Sequence, residues 1–293
     1  MIVGYGKYRY ERVDGWAKIP EYFTLIDPVD VATDSRDRVF VFCRGNHPVL
    51  IFDRDGNFIS CWGEGHFRYA HGLFIGPDDS VYLVDAETHV VEKYTPSGKL
   101  LMTLGKRDWA EPTHHGAPFN MPTGLALGRS GEMFISDGYG NSFVHKFSPE
   151  GKLIKTWGGH GSGPGQFVTV HNIATDRCGN VYVCDRQNDR IQKFTSEGEY
   201  LSTWTGFHWP MDAYVDQKDD VIYIVEAMVT GPHQPKISIR DLDGNVLSSW
   251  EGRESEGKGL LDVGHGIWVD SHGDIYETEI DNTHRIQKFA RMT

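Results

Sequence analysis

One pattern returns six times along the chain, and a sequence built of repeats has few folds open to it. The segments are PVDVATD from Pro28, AHGLFIG from Ala70, PTGLALG from Pro122, VHNIATD from Val170, PMDAYVD from Pro210 and GHGIWVD from Gly264, starting 42, 52, 48, 40 and 54 residues apart. Each runs into a second apolar stretch: RVFVFC, SVYLVD, EMFISD, NVYVCD, VIYIVE or DIYETE. A polar loop, a third stretch such as VLIFD or RIQKF, a turn such as DRDGN or SPEGK, and a fourth stretch ending in Trp or Leu with Gly complete the unit. Short alternating runs separated by Asx/Gly turns read as strands, and helical periodicity is absent. Four strands per unit, six times over, predict an all-β fold: a six-bladed β-propeller with four-stranded blades. The sixth unit stops at 290–293 without a fourth strand, while YRYERVDGW at 8–16 resembles the end of the other units. An N-terminal strand over about 8–16 is therefore expected to complete the last blade and close the ring, which removes exposed sheet edges. The reading is a single domain, 1–293, with the inserts 107–119, 159–166 and 228–235 as loops.

Charge and composition narrow the function classes. The net charge is −12 and no run of five basic residues occurs, so nucleic acid is not an expected partner. No signal-length apolar stretch opens the chain and nowhere do eighteen apolar residues run together, so no membrane partner is expected and the chain reads as cytoplasmic. The four cysteines, Cys43, Cys61, Cys178 and Cys184, form no C-x-x-C pair and are read as buried reduced thiols in strands.

The second position of the repeat carries the most specific signal. It holds Val29, His71, Thr123, His171, Met211 and His265, so histidine occupies every other unit. Alternate blades of a sixfold ring are related by a third of a turn, and the first strand of a blade is innermost. Three imidazoles there would meet on the axis and leave an open coordination position, the arrangement of catalytic zinc. A lone histidine at a strand start is ordinarily a satisfied polar residue, and blade packing would act on all six units alike; alternation therefore favours a metal. The other histidines, His47, His89, His114 and His115 among them, show no such pattern and are read as surface residues.

Residues just after the second strands belong at the same mouth. The recurring acids there, Asp85, Asp137, Asp185, Glu226 and Glu279, are read as structural. Departures from the repeat are Arg44 in FCRGNH, Tyr139 in SDGYGNS and Arg186 in CDRQNDR. Guanidiniums grip carboxylates in bidentate fashion, and a phenol beside a metal and an arginine is a candidate base. Arg190 and Arg285 are read instead as surface ion-pair partners of the repeat acids.

The blocks CDRQNDRIQKF and GKLIKTWGGHGSGPGQF resemble NHL repeats. The set RGNH, AHGL, SDGYGNS, VHNIA, DRQNDRIQ and GHGI, in that order across nearly the whole chain, resembles the peptidyl-α-hydroxyglycine α-amidating lyases. That resemblance implies zinc, or another divalent transition metal, on His71, His171 and His265. It implies Tyr139 as the general base and Arg44 and Arg186 as active-site arginines. The family reaction splits an N-alkylated carbinolamide into an amide and glyoxylate. Where the family has an aspartate after the third histidine, helping to hold a structural calcium, this chain has Gly266, so that calcium loses a ligand; its remaining carbonyl ligands would fall near Val31 and Leu73. Val263 replaces a pocket methionine, and the family's disulfide positions include Gly140, Tyr182 and Lys193 here.

The expectation is a metal-dependent lyase acting on a small substrate that carries a hydroxyl and a carboxylate. Two alternatives stand beside it: a hydratase or hydrolase using metal-activated water, and a non-catalytic NHL propeller scaffold for protein binding.

Overall fold

The computed structural model describes residues 1–227, 233–252 and 260–292. Most of the insert expected at 228–235 lies outside the described residues. The chain packs as two compact units, Phe67–Pro210 and Met1–His66 with Met211–Thr293. Each unit holds three antiparallel sheets, and the six sheets are the six blades.

The first strands are Pro28–Thr33, Ala70–Ile75, Pro122–Leu127, Val170–Thr175, Pro210–Asp216 and Val263–Val269. The repeat placed five of these starts at the residue observed, and the sixth begins one residue earlier than Gly264. The second strands, such as Val39–Cys43, Val81–Asp85 and Val181–Asp185, are buried at every position rather than at alternate ones. Within a unit their apolar side chains pack against the next blade. In one cluster Tyr82, Val84 and Val91 pack on Leu125, Met133 and Ile135; in another Ala126, Phe134 and Trp157 pack on Ile173, Val183 and Phe194. The outermost strands, such as Leu100–Gly105 and Leu153–Gly158, are largely exposed, with Leu104 and Trp157 the buried positions.

The last blade lacks a fourth strand of its own, and the N-terminus supplies it. Tyr8–Arg12 pairs antiparallel with Ile286–Arg291, and Ile2–Tyr5 adds a fifth strand outside it. The strand is shorter than the 8–16 expected. Asp14 and Gly15 form a turn, and Trp16 drops into the core beside Phe52 and Tyr276.

The repeat acids do the structural work read for them. In four blades the acid closing the second strand accepts an N–H seventeen residues upstream, just before the first strand. Asn120 donates to Asp137, Val168 to Asp185 and Asp262 to Glu279, at 2.7–3.0 Å, while Asp85 receives Arg68 at the same spacing and Tyr69 as well. Each acid thereby ties the entry of the blade to its first hairpin. Arg190 bonds Asp185 and Arg285 bonds Glu279, but these carboxylates are wholly buried, so the pairs are internal rather than surface ones. All four cysteines are free; Cys43 and Cys184 are buried in strands, whereas Cys61 is partly exposed and Cys178 exposed in a turn, which corrects the uniform reading. Among the described residues no helix is long and apolar enough to cross a membrane.

Candidate metal centre

The second repeat position is special because the strand bulges there. Pairing steps from Ala70–Asp85 to Gly72–Val84 and from Val170–Asp185 to Asn172–Cys184, leaving His71 and His171 as extra residues without a cross-strand partner. The same step occurs at Val29, Thr123 and His265. A bulge re-aims one side chain out of the ladder, so a histidine here is free to face away from its own sheet.

Close backbone packing then sets the ring. Gly72 lies so near the adjacent blade that a Cβ would stand 2.6 Å from the Thr123 carbonyl oxygen. That carbonyl accepts from His71 Nδ1 at 2.6 Å. A carbonyl can only accept, so Nδ1 carries a proton, and in a neutral ring that leaves the lone pair on Nε2. Thr123 is held in turn by its hydroxyl, which donates to the Val170 carbonyl at 2.6 Å.

Tyr139 follows the second strand Met133–Asp137. Gly138 brings the chain against Val170, where a Cβ would lie 1.9 Å from the carbonyl oxygen. This close approach puts the phenol beside His171: Tyr139 Oη is 3.0 Å from His171 Nε2 and 2.9 Å from His71 Nε2. Both imidazoles are buried, and their ligand-capable nitrogens lie within 4.8 Å of each other. Arg186 opens the 3-10 turn Arg186–Asn188, and its Nη1 donates to Tyr139 Oη at 3.4 Å. The guanidinium sits 5.4 Å from the Tyr139 ring centre and 5.3 Å from that of Trp209, within cation–π range of both.

In the other unit His265 is built as His71 is. It is 3 % exposed, occupies the bulge, and its Nδ1 donates to the Val29 carbonyl at 2.7 Å. Arg44 lies in the same unit with Nη1 3.3 Å from Asp27 Oδ2, while Asp27 also meets His284 Nδ1 at 2.8 Å.

The chain is a six-bladed β-propeller. A family model described as a 6-bladed beta-propeller matches residues 127–260. The propeller is 33% identical over 192 residues to NHL repeat-containing protein 3 of Homo sapiens, spanning 61% of this chain and 55% of that one. It is 35% identical over 145 residues to peptidyl-alpha-hydroxyglycine alpha-amidating lyase 1 of Drosophila melanogaster, covering 45% and 26% of the two chains. The peptidyl-glycine alpha-amidating monooxygenase of Mus musculus is 32% identical over 56% of this chain and 20% of its own length. The propeller thus spans about half the length, or less, of these curated relatives. Among solved structures it superposes on a streptogramin B lyase with TM-score 0.61 over 99% of this chain and 88% of that one, at 14% identity, a likeness of fold.

Imidazole nitrogens are donors that a borderline cation such as zinc accepts, and in His71 and His265 a backbone carbonyl fixes the ring through Nδ1. Sequence reasoning missed Trp209, which supports Arg186, and the carbonyls of Thr123 and Val29. The Trp-Pro step before a first strand was a signal for the tryptophan; a backbone carbonyl leaves none.

Proposed function

We propose that this propeller is a zinc-dependent lyase that cleaves the C–N bond of an α-hydroxyglycine-type carbinolamide, with His71, His171 and His265 as metal ligands, Tyr139 as base, and Arg186 and Arg44 as carboxylate anchors. The observation that carries the reading is Tyr139 Oη, seated between the Nε2 atoms of His71 and His171 and within reach of a guanidinium. His265 enters as third ligand on its matching register and its matching carbonyl tether.

When bound, zinc supplies Lewis acidity to a substrate hydroxyl or carboxylate oxygen. Arg186, steadied by the Trp209 ring, offers two parallel N–H donors to the carboxylate. Tyr139 takes the hydroxyl proton as the C–N bond breaks; the C–O bond becomes the aldehyde of glyoxylate and the departing amide nitrogen receives the proton back. The names of the relatives, which include amidating lyases, accord with this class. The free cysteines accord with a reducing, cytoplasmic location.

The test is incubation of zinc-loaded protein with an N-acyl-α-hydroxyglycine, measuring glyoxylate and primary amide. Equal amounts of both, lost in His171→Ala, support the lyase. Turnover of ester or enol-acid substrates instead would replace it with a hydrolase or hydratase. A protein-binding scaffold, the second reading, requires no turnover and no effect of His171→Ala on partner binding.

A further inference from the structure

A second cluster of metal-type donors lies in the first blade, on residues that the histidine repeat does not touch. The strands Val49–Phe52 and Phe58–Trp62 pair with Leu50 opposite Cys61 and Val49 opposite Trp62. Continuing that register brings the loop residue His47 toward Glu64. Gly63, at φ +96°, turns the chain in the left-handed region, and the carboxylate folds back onto Cys61. Three different donors result: His47 Nδ1 is 3.4 Å from Glu64 Oε1, Cys61 Sγ is 3.4 Å from the same oxygen, and Sγ is 3.8 Å from Nδ1.

These separations match the edges of a coordination tetrahedron. Zinc–sulfur bonds of about 2.3 Å and zinc–nitrogen or zinc–oxygen bonds of about 2.0 Å at tetrahedral angles put sulfur about 3.5 Å from the lighter donors, and those about 3.3 Å apart. We infer that His47, Cys61 and Glu64 form a second cation site, for a zinc-class divalent ion, with its fourth position open to water. His47 is held for the task by a face-to-face stack on Phe23, with ring centres 3.9 Å apart. Side-chain exposures of 32 % for His47 and 52 % for Glu64 leave the site reachable from solvent.

A nucleophilic cysteine would need a different shape. There the thiol, imidazole and carboxylate stand in line, the carboxylate on the far side of the ring. Here the carboxylate touches both partners. Burial and the adjoining Glu64 also push the Cys61 thiol up to about 11, so without a cation it stays a thiol donating to the carboxylate. Ion binding displaces that proton: one S–H bond is lost, one sulfur–metal bond forms, and one proton leaves to solvent. The ion would join the outermost strand of the blade to the 44–48 loop that carries Arg44.

Sulfur makes this site separable from the histidine centre. Metal-free protein, kept reduced with a phosphine, is titrated with Co²⁺ and followed by the thiolate-to-cobalt charge-transfer absorption. Wild type and the His171→Ala and Cys178→Ser variants should each develop the band to one equivalent, and Zn²⁺ should erase it. Cys61→Ser should show none, and His47→Ala should bind cobalt about tenfold or more weakly. Absence of the band from wild type, or its survival in Cys61→Ser, overturns the assignment. Should Cys61→Ser melt early, His47→Ala and Glu64→Gln decide: weakened binding in both sustains the site, and unchanged binding in both removes it.

Discussion

At His71 a single residue shows how the fold aims a side chain. The bulge frees the side chain, the Thr123 carbonyl selects its tautomer, and Gly72 lets the two backbones approach. Gly72→Ala would press a methyl against the Thr123 carbonyl and the Gly124 Cα, at 2.6 and 2.9 Å, neither of which is a flexible side chain. We expect a loss of about 1–3 kcal/mol in denaturant unfolding, together with weaker metal binding because the displaced carbonyl is the one that orients His71. Tyr139→Phe keeps the ring and removes only the oxygen lying between the two imidazoles. Glyoxylate formation should fall about 10²–10⁴-fold with the melting temperature little changed; an equally active variant would leave Tyr139 without its role. The residue types were legible because alternation at one repeat position cannot come from a packing rule common to all six units. The carbonyls that aim them were not, since any residue supplies one.

The N-terminal hairpin is where sequence and structure part by one element. Tyr8–Arg12 was readable from its likeness to other unit endings, but the extra strand Ile2–Tyr5 was not. Nothing in the other five units corresponds to it. The hairpin is anchored by Tyr10, fully buried, whose ring lies 5.6 Å from Trp250 and whose hydroxyl is 3.3 Å from that of Tyr223. Tyr10→Ala should cost about 3–5 kcal/mol and raise proteolysis near the N-terminus before the rest of the chain is cut. Cleavage spread evenly along the chain would mean that the hairpin is not a separately opening element. The blade strands illustrate the opposite case. Their positions followed from turns and apolar runs, while the burial of every residue of a second strand such as Val81–Asp85, and the packing of one blade on the next within a unit, are encoded by no local pattern.

For the molecule as a whole, buried charge sets how stability responds to pH. Asp212 is fully enclosed; burial pushes its carboxyl up to about 7, although N–H groups of Ala213 and Ile267 donate to it at 2.7 and 2.8 Å. An acid whose folded value is raised contributes most below its unfolded value, and that contribution is lost as pH rises through the folded one. Asp212→Asn forfeits an acceptor at every pH, but it has no charge to bury. The stability gap between wild type and Asp212→Asn should therefore shift toward the variant by up to about 4 kcal/mol between pH 4 and pH 8. Parallel curves in thermal unfolding would contradict this. In a Cys61→Ser background, zinc at a hundred times its Kd should stabilise the protein by about 2.7 kcal/mol. Chelation should reverse the effect, and His171→Ala should abolish it.

The amino-acid sequence alone determined the blade count, the starts of the strands and the three histidines, because repetition compares the chain with itself and exposes every departure from its own rule. The His47–Cys61–Glu64 cluster, the Trp209 support for Arg186 and the internal character of the Arg190 and Arg285 pairs were decided only by tertiary structure. Each depends on side chains meeting across a turn or across neighbouring segments, and distances of that kind carry no period for a sequence to display.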